Sequence, residues 1–234
     1  AAEEPFTQIY TSGTTGDPKG AVHPHRVLLG HLPGYLTVVS NLQVDEETVV
    51  WGVPDWAWQY GLLGVLAATH FYGKPVVSHN GGPFDPEHAY EQLERYGVSN
   101  FLVTPSVLRM MQAAVDDPAD QYDLGSVRQL ASGGSTLSED LVDWVQDTFD
   151  APIHDLYGQT EINYVIGDCT ALFDYELGTL GRPTPGHDVD VVDVETAEPT
   201  VDVGEVGELA VRYEGDPVVL DHYWNNPEQT AKKK

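Results

Sequence analysis

Tyr10 to Gly20 reads YTSGTTGDPKG, with three threonines, a serine, three glycines and one lysine in eleven residues. It follows Phe6 to Tyr10, a short run with the length and composition of a strand. A Gly and Ser/Thr run placed after a strand can wrap an anionic group. Glycine lets backbone N–H groups converge, and hydroxyls donate further hydrogen bonds. A phosphate chain fits that description. The spacing is not that of a G-x-x-x-x-G-K-S/T loop, because Gly13 and Gly16 are followed by Asp17-Pro18-Lys19-Gly20. By composition alone the stretch also reads as a flexible hairpin.

The lysine stands out against the rest of the chain. The sequence has 234 residues, 11 Lys+Arg against 37 Asp+Glu, and a formal net charge of -26. Only Lys19 and Lys74 lie outside the terminal run Lys232 to Lys234. Long-range repulsion of that size disfavours a nucleic-acid backbone or an anionic membrane as partner. Carboxylates spread along the whole length suggest a surface adapted to high salt, where the Debye length shrinks to ~3 Å at 1 M. An ordinary acidic cytosolic protein is the alternative. Cys169 is the single cysteine, which excludes an internal disulfide and a multi-cysteine zinc site. His23 and His25 flank Pro24 without a third ligand at a supporting spacing, so zinc is not expected. Acidic groups such as Asp45-Glu46-Glu47 are expected to face water. No signal-peptide pattern and no apolar run of membrane-spanning length occur, so a cytoplasmic location is expected.

Hydrophobic content of 41% supports a sizeable core. Short apolar runs alternating with longer amphipathic stretches predict an α/β fold with largely parallel sheets flanked by helices. The expected strands are Phe6–Tyr10, Thr48–Val53, Lys74–Ser78, Ser99–Val103, Val127–Ala131 and Pro152–Leu156. Helices are expected over Pro24–Val39, Ala57–Thr69, Pro86–Tyr96, Ser106–Ala114 and Ser138–Phe149. Asp85-Pro86 and Ser138-Glu139-Asp140 have the chemistry of helix starts. After Gly178 the pattern HDVDVVDVETAEPTVDVGEVGELAVRY alternates apolar and acidic residues and predicts antiparallel β structure. The expected division is therefore 1–177 for the α/β part and 178–234 for the start of a β region. No element is predicted at the closing NNPEQTAKKK.

The specific order of residues adds more. Thr11 to Gly20, TSGTTGDPKG, resembles the phosphate-binding signature of the adenylate-forming superfamily, which takes in acyl-CoA synthetases, peptide-synthetase adenylation domains and firefly luciferase. Further stretches resemble the same family in the same order: DWAWQYG (Asp55 to Gly61), ASGGSTLSED (Ala131 to Asp140), DLYGQTE (Asp155 to Glu161), and GTLGRPTPGHDVDVVD with GEVGELAVR. The AMP-forming acyl-CoA synthetases of the medium-chain or acetyl type are the most similar branch.

That resemblance implies roles. Thr11, Ser12, Gly13, Thr14, Thr15, Gly16 and Lys19 would form the loop that closes over the β- and γ-phosphates of ATP. Gly133, Gly134 and Ser135 would lie on the adenine side. Within DLYGQTE, which includes Asp155, Gly158 and Gln159, Tyr157 would stack on adenine, Thr160 would bond the α-phosphate and Glu161 would coordinate Mg²⁺. Lys19, Thr160 and Glu161 are thus the expected catalytic residues. Trp58 and Gly158 are the expected acyl-pocket residues, while Trp56 is either core or pocket wall. Acetate-specific members resemble WWQTE where this chain has YGQTE. The missing indole implies an acid larger than acetate.

The implied partners are a carboxylic acid, ATP and coenzyme A. A peptide-synthetase-type adenylation domain and a catalytically incompetent nucleotide-binding fragment are the alternatives. The family's larger extent implies a partial large domain, without the N-terminal portion, the hinge and the mobile C-terminal domain. Such a piece is expected to bind nucleotide weakly by itself.

Overall fold

The computed structural model describes residues 2–11, 17–78, 82–196, 198–199 and 202–234. The strands are β1 (Pro5–Thr11), β2 (Lys19–Pro24), β3 (Val50–Gly52), β4 (Val76–Val77), β5 (Asn100–Val103), β6 (Gln129–Gly133), β7 (Ile153–Gln159), β8 (Asn163–Gly167), β9 (Arg182–Pro183), β10 (Val189–Val192), β11 (Glu208–Val211) and β12 (His222–Tyr223). Seven of them form one sheet in the order β4-β3-β5-β6-β7-β8-β9. Its pairs are parallel from β4 to β7, and β8 and β9 then add antiparallel strands.

The helical segments are α1 (Val27–Gly30), α2 (Leu32–Gly34), a π-helical turn Tyr35–Val39, a second π-helical segment Tyr60–Ala67 that runs into α3 (Ala68–Phe71), then α4 (Pro86–Tyr96), α5 (Pro105–Ala114), α6 (Pro118–Gln121), α7 (Glu139–Phe149) and α8 (Pro227–Lys233). They cover both faces of the large sheet. Phe101 and Val103 of β5 pack with Leu93, Leu108, Leu141 and Val145, whereas Leu102 between them packs with Tyr35, Val38 and Val65. This alternation is the two-residue period of a strand, and with both faces covered every residue of β5 is buried.

Local chemistry sets the helix boundaries where the sequence reading succeeds. The Asp85 side chain accepts from the Glu87 and His88 N–H groups at 3.1 and 3.3 Å, and α4 ends at Gly97 in the left-handed region, φ 56°. At Ser138 the outcome differs. Its hydroxyl accepts from Arg109 Nη2 at 2.8 Å and makes no capping bond, so the early carboxylates Glu139 and Asp140 meet the helix dipole instead.

Three regions depart from expectation. Lys19–Pro24 is a strand rather than the lead-in to a helix, because it pairs antiparallel with β1 in register, Thr11 opposite Lys19. The helical stretch starts only at Val27. β8, all five residues of it buried, continues the main sheet where no strand was expected. Residues near the end form α8, started by the Asn226 side chain accepting from Gln229 N at 3.2 Å.

The antiparallel structure expected after Gly178 is present as β10 paired with β11. Strands beyond residue 177 also reach the other two sheets: β9 joins the large sheet beside β8, and β12 pairs with β2. Among the described residues no helix is long and apolar enough to cross a membrane.

Candidate active site

A cavity of about 700 Å³ opens at the carboxyl ends of the parallel strands. Four of the stretches singled out in the sequence meet on its wall: Thr11 at the end of β1, Trp58 to Tyr60, Gly133-Gly134 after β6, and Gly158 to Thr160 at the end of β7. Ile9, Tyr10, Val53, Pro54, Thr104, Val107, Leu156, Asn163 and Tyr164 also contribute. The chain crosses from β5 to β6 to β7 in parallel, so the ends of these strands lie side by side. In an open α/β sheet this is the edge where ligands bind.

Not every expected residue faces the cavity. Ser12, Gly13, Thr14, Thr15 and Gly16 lie outside the described residues. Lys19 sits across the hairpin from Thr11, with its Nζ donating to Gln229 Oε1 at 2.9 Å and lying 5.5 Å from the centre of the Tyr223 ring. Gly133 and Gly134 line the wall, and Gly134 needs glycine at φ 95°. Ser135 is exposed and stands off the wall. Asp155 is buried behind it: its Oδ1 accepts from Leu156 N at 2.9 Å, and its own N–H donates to Asp168 Oδ2 at 3.0 Å. Burial, reinforced by the Asp168 carboxylate, pushes the Asp155 carboxyl up to about 6.

The YGQTE stretch divides residue by residue. Tyr157 is half-buried and packs beside Val165, Val218 and Leu220, while its hydroxyl accepts from Gln159 Nε2 at 2.7 Å. Gly158, Gln159 and Thr160 face the cavity. Strand alternation puts Leu156 and Gly158 on the wall and Tyr157 on the opposite side, and the register of the β7–β8 pair shifts between Tyr157 and Gly158. Glu161 is 9% exposed and turns away from the wall; its Oε1 accepts from the Tyr223 hydroxyl at 2.5 Å.

Tyr223 therefore links the two expected charged groups, with Lys19 over its ring and Glu161 on its hydroxyl. Tyr223→Phe should leave Glu161 Oε1 buried without that bond and cost about 2 kcal/mol of stability in urea denaturation. An unchanged midpoint would show that Glu161 is solvated.

The Gly158 volume argument needs correcting. A Cβ at Gly158 would overlap the Asn163 carbonyl oxygen and lie 2.6 Å from Tyr164 Cα. The glycine is required by the close approach of β8, so its lack of a side chain is accounted for by backbone packing as well as by its place on the cavity wall. Trp58 does line the cavity and is 68% exposed, whereas Trp56 is off the wall and half as exposed, at 37%.

Other residues at or beside the cavity were not legible. His23 is fully buried, and its Nε2 donates to the Thr160 carbonyl at 2.7 Å, fixing the backbone of an expected catalytic residue. Burial holds the His23 imidazole below its usual pKa, which favours the neutral ring that makes this bond. The HPH stretch gave no signal for this role, because the partner lies 137 residues away. Among the described residues no group of three His, Cys, Asp or Glu could hold a metal ion by itself. Gln59 and Tyr164 are further wall residues that pattern reasoning passed over.

Comparison with known proteins gives the family and the fold. The AMP-binding enzyme family model matches residues 1–224. Acetyl-coenzyme A synthetase of Bacillus subtilis (strain 168) is 33% identical over 224 residues, covering 96% of this chain and 38% of the relative. Acetyl-coenzyme A synthetase of Methanothrix thermoacetophila is 32% identical, covering 96% of this chain and 34% of that protein. Among solved structures, Brucella canis acyl-CoA synthetase superposes with a TM-score of 0.86 at 30% identity, over 96% of this chain and 40% of the other. The anthranilate CoA ligase AuaEII in complex with anthranoyl-AMP has a TM-score of 0.86 at 25% identity, over 99% and 43% of the two chains. The chain thus spans well under half the length of these relatives.

Proposed function

The chain belongs to the AMP-binding enzyme family, and on that premise we propose that it is part of an AMP-forming acid–thiol ligase that activates a carboxylic acid with ATP and passes it to coenzyme A. The observation that carries this reading is the convergence of Thr11, the Trp58–Tyr60 segment, Gly133-Gly134 and Gly158–Thr160 on one cavity. These stretches are separated by up to about 150 residues in sequence, and they are the ones that resemble the family's nucleotide and acyl motifs.

The chemistry follows from polar groups rather than from a covalent nucleophile. A carboxylate oxygen of the acid attacks the α-phosphorus of ATP. The bond to the bridging oxygen breaks, and pyrophosphate leaves with that electron pair. The thiol of coenzyme A then attacks the acyl carbon and AMP departs. Positioning and charge stabilisation supply the acceleration. Thr160, which lines the cavity, is assigned to the α-phosphate, with His23 holding its backbone. Lys19, together with the hydroxyls of Ser12, Thr14 and Thr15, is assigned to the departing pyrophosphate. Lys19 would have to exchange Gln229 for phosphate oxygens. Gly133 and Gly134 are assigned to the adenine edge; Tyr157 and Ser135, which lie off the wall here, would have to turn toward the cavity to take the adenine face and edge.

Glu161 is the carboxylate that would hold Mg²⁺, an ion that takes one or two carboxylates plus substrate phosphates, and it would have to turn from Tyr223 toward the cavity to do so. The partner of its Oε1 is a neutral hydroxyl, which a cation can displace. When bound, the ion would neutralise phosphate charge in a chain of net charge -26. The acid is proposed to be larger than acetate, on the support of the broad apolar wall of Val53, Pro54, Trp58 and Val107.

Acid-dependent exchange of labelled pyrophosphate into ATP by the full-length protein tests the reading. Exchange is expected with an acid of propionate size or above, and Lys19→Ala is expected to weaken ATP about tenfold while sparing AMP. Failure of every acid from acetate to small aryl acids, with no AMP binding by calorimetry, would overturn it. Acetate as the best substrate would overturn the size assignment alone.

A further inference from the structure

The cavity wall holds an unpaired carboxamide. Gln59 is 5% exposed and lines the cavity, and neither its Nε2 nor its Oε1 has a hydrogen-bond partner. Tyr164 lines the same cavity, is 3% exposed, and its hydroxyl is likewise unpaired. Its ring meets that of Tyr60 edge-on at 6.4 Å, and the Tyr60 hydroxyl reaches only the Ala131 carbonyl, at 3.4 Å.

Buried polar atoms in folded chains are paired in the great majority of cases, since leaving one unpaired forfeits its hydration. A wall built for a purely aliphatic tail would carry leucine or phenylalanine at these positions at no such cost. Both groups belong to wall residues and lie just beneath the wall's surface, where a small turn of either side chain presents it to a guest that brings its own hydrogen bonds. The guest is uncharged there. Among the described wall residues Asp55 is the sole charged side chain, it is exposed, and no lysine or arginine is present to receive a second carboxylate.

We propose that Gln59 and Tyr164 select a carboxylic acid bearing a hydroxyl or another uncharged hydrogen-bonding group on its chain or ring. This rests on the acyl-activating reading of the cavity. It adds a specificity that the resemblance does not supply: the carboxamide offers one acceptor and two donors, and the phenol offers one of each. A guest hydroxyl can donate its proton or accept at its lone pairs at either group. An unsubstituted acid leaves the same atoms unpaired, and this is the arrangement that discriminates most strongly against an analogue lacking the polar group.

The test is binding of matched acids to the full-length protein in molar KCl by calorimetry: benzoate against its three hydroxybenzoates, and butyrate against its hydroxy acids. At least one hydroxy acid is expected to bind tenfold or more tightly than its plain counterpart. Gln59→Leu fills a similar volume without polar atoms; it is expected to lower that ratio at least tenfold and to bind the plain acid more tightly than wild type does. Tyr164→Phe gives an independent reading of the same wall should Gln59→Leu fail to fold. Plain acids binding as well as every hydroxy counterpart, or a preference that survives both substitutions, would overturn the proposal. Pyrophosphate exchange with the same acids keeps the two readings apart. A hydroxy-acid preference lost in Gln59→Leu, but with no exchange, would support this wall and sink the ligase. Exchange without the preference would do the reverse.

Discussion

Gly158→Ala is expected to destabilise the chain by about 3 kcal/mol, and Gly158→Trp to abolish the cooperative fold altogether. The cause is backbone against backbone. An added Cβ would overlap the carbonyl oxygen of Asn163 and come within 2.6 Å of Tyr164 Cα. Flexible side-chain ends can swing aside from such a contact, but these atoms belong to β8, which is hydrogen-bonded to β7 on one side and β9 on the other. Asn163 itself turns the chain back into β8 with φ 60°, a left-handed conformation that asparagine tolerates.

Urea unfolding monitored by tryptophan fluorescence measures the effect directly. A Gly158→Ala midpoint within error of wild type would show that β8 yields at this point. The result also bears on specificity: a stably folded Gly158→Trp chain would restore the reading in which the glycine leaves room for the acid. Loss of the fold would place the choice of acid on other wall residues, Gln59 and Tyr164 first among them.

Acidification from pH 7.5 to 4.5 is expected to cost about 3 kcal/mol or more of unfolding free energy. Three buried histidines set the sign. His154 uses both nitrogens as a neutral ring: Nδ1 donates to the Val38 carbonyl at 2.9 Å, and Nε2 accepts from Thr170 N at 3.1 Å. Burial pushes it down to about 4, and pushes His31 down to about 3; His23 is lowered as well. The unfolded chain takes up these protons near pH 6.5, whereas the folded chain resists them. Between those limits the unfolded state binds more protons, so stability present above pH 6.5 is lost as pH falls toward 4.

Asp155 and Asp168 act in the opposite direction. Burial raises both carboxyls, Asp155 to about 6, so the folded state binds protons there first and gains stability as pH falls through that value. The histidine shifts are more numerous and, for His31, larger, which leaves a net loss. Measurement in molar KCl screens the self-repulsion that protonation of surface carboxylates would otherwise relieve. His154→Gln should be less stable at pH 7.5 and show a flatter profile below it. A flat wild-type profile between pH 7.5 and 4.5 would contradict the assignment of these histidines as neutral.

Two kinds of information separate in this chain. The sequence by itself determined the family, through TSGTTGDPKG and DLYGQTE, and the α/β alternation. It also located α4 to its ends, since Asp85, Pro86 and Gly97 act within a single turn of backbone and need no distant partner. The tertiary structure alone decided which motif residues face the cavity. Strand alternation opposes Tyr157 to Leu156 and Gly158, and only the assembled sheet decides that the second set faces the cavity and Tyr157 the core. It alone gave Lys19 and Glu161 a shared neighbour in Tyr223, more than 60 residues from either. It also left Gln59 and Tyr164 as polar residues without partners on an apolar wall. Propensity, capping and motif order act over a few residues, but burial and pairing are set by segments that meet only when the sheet is assembled.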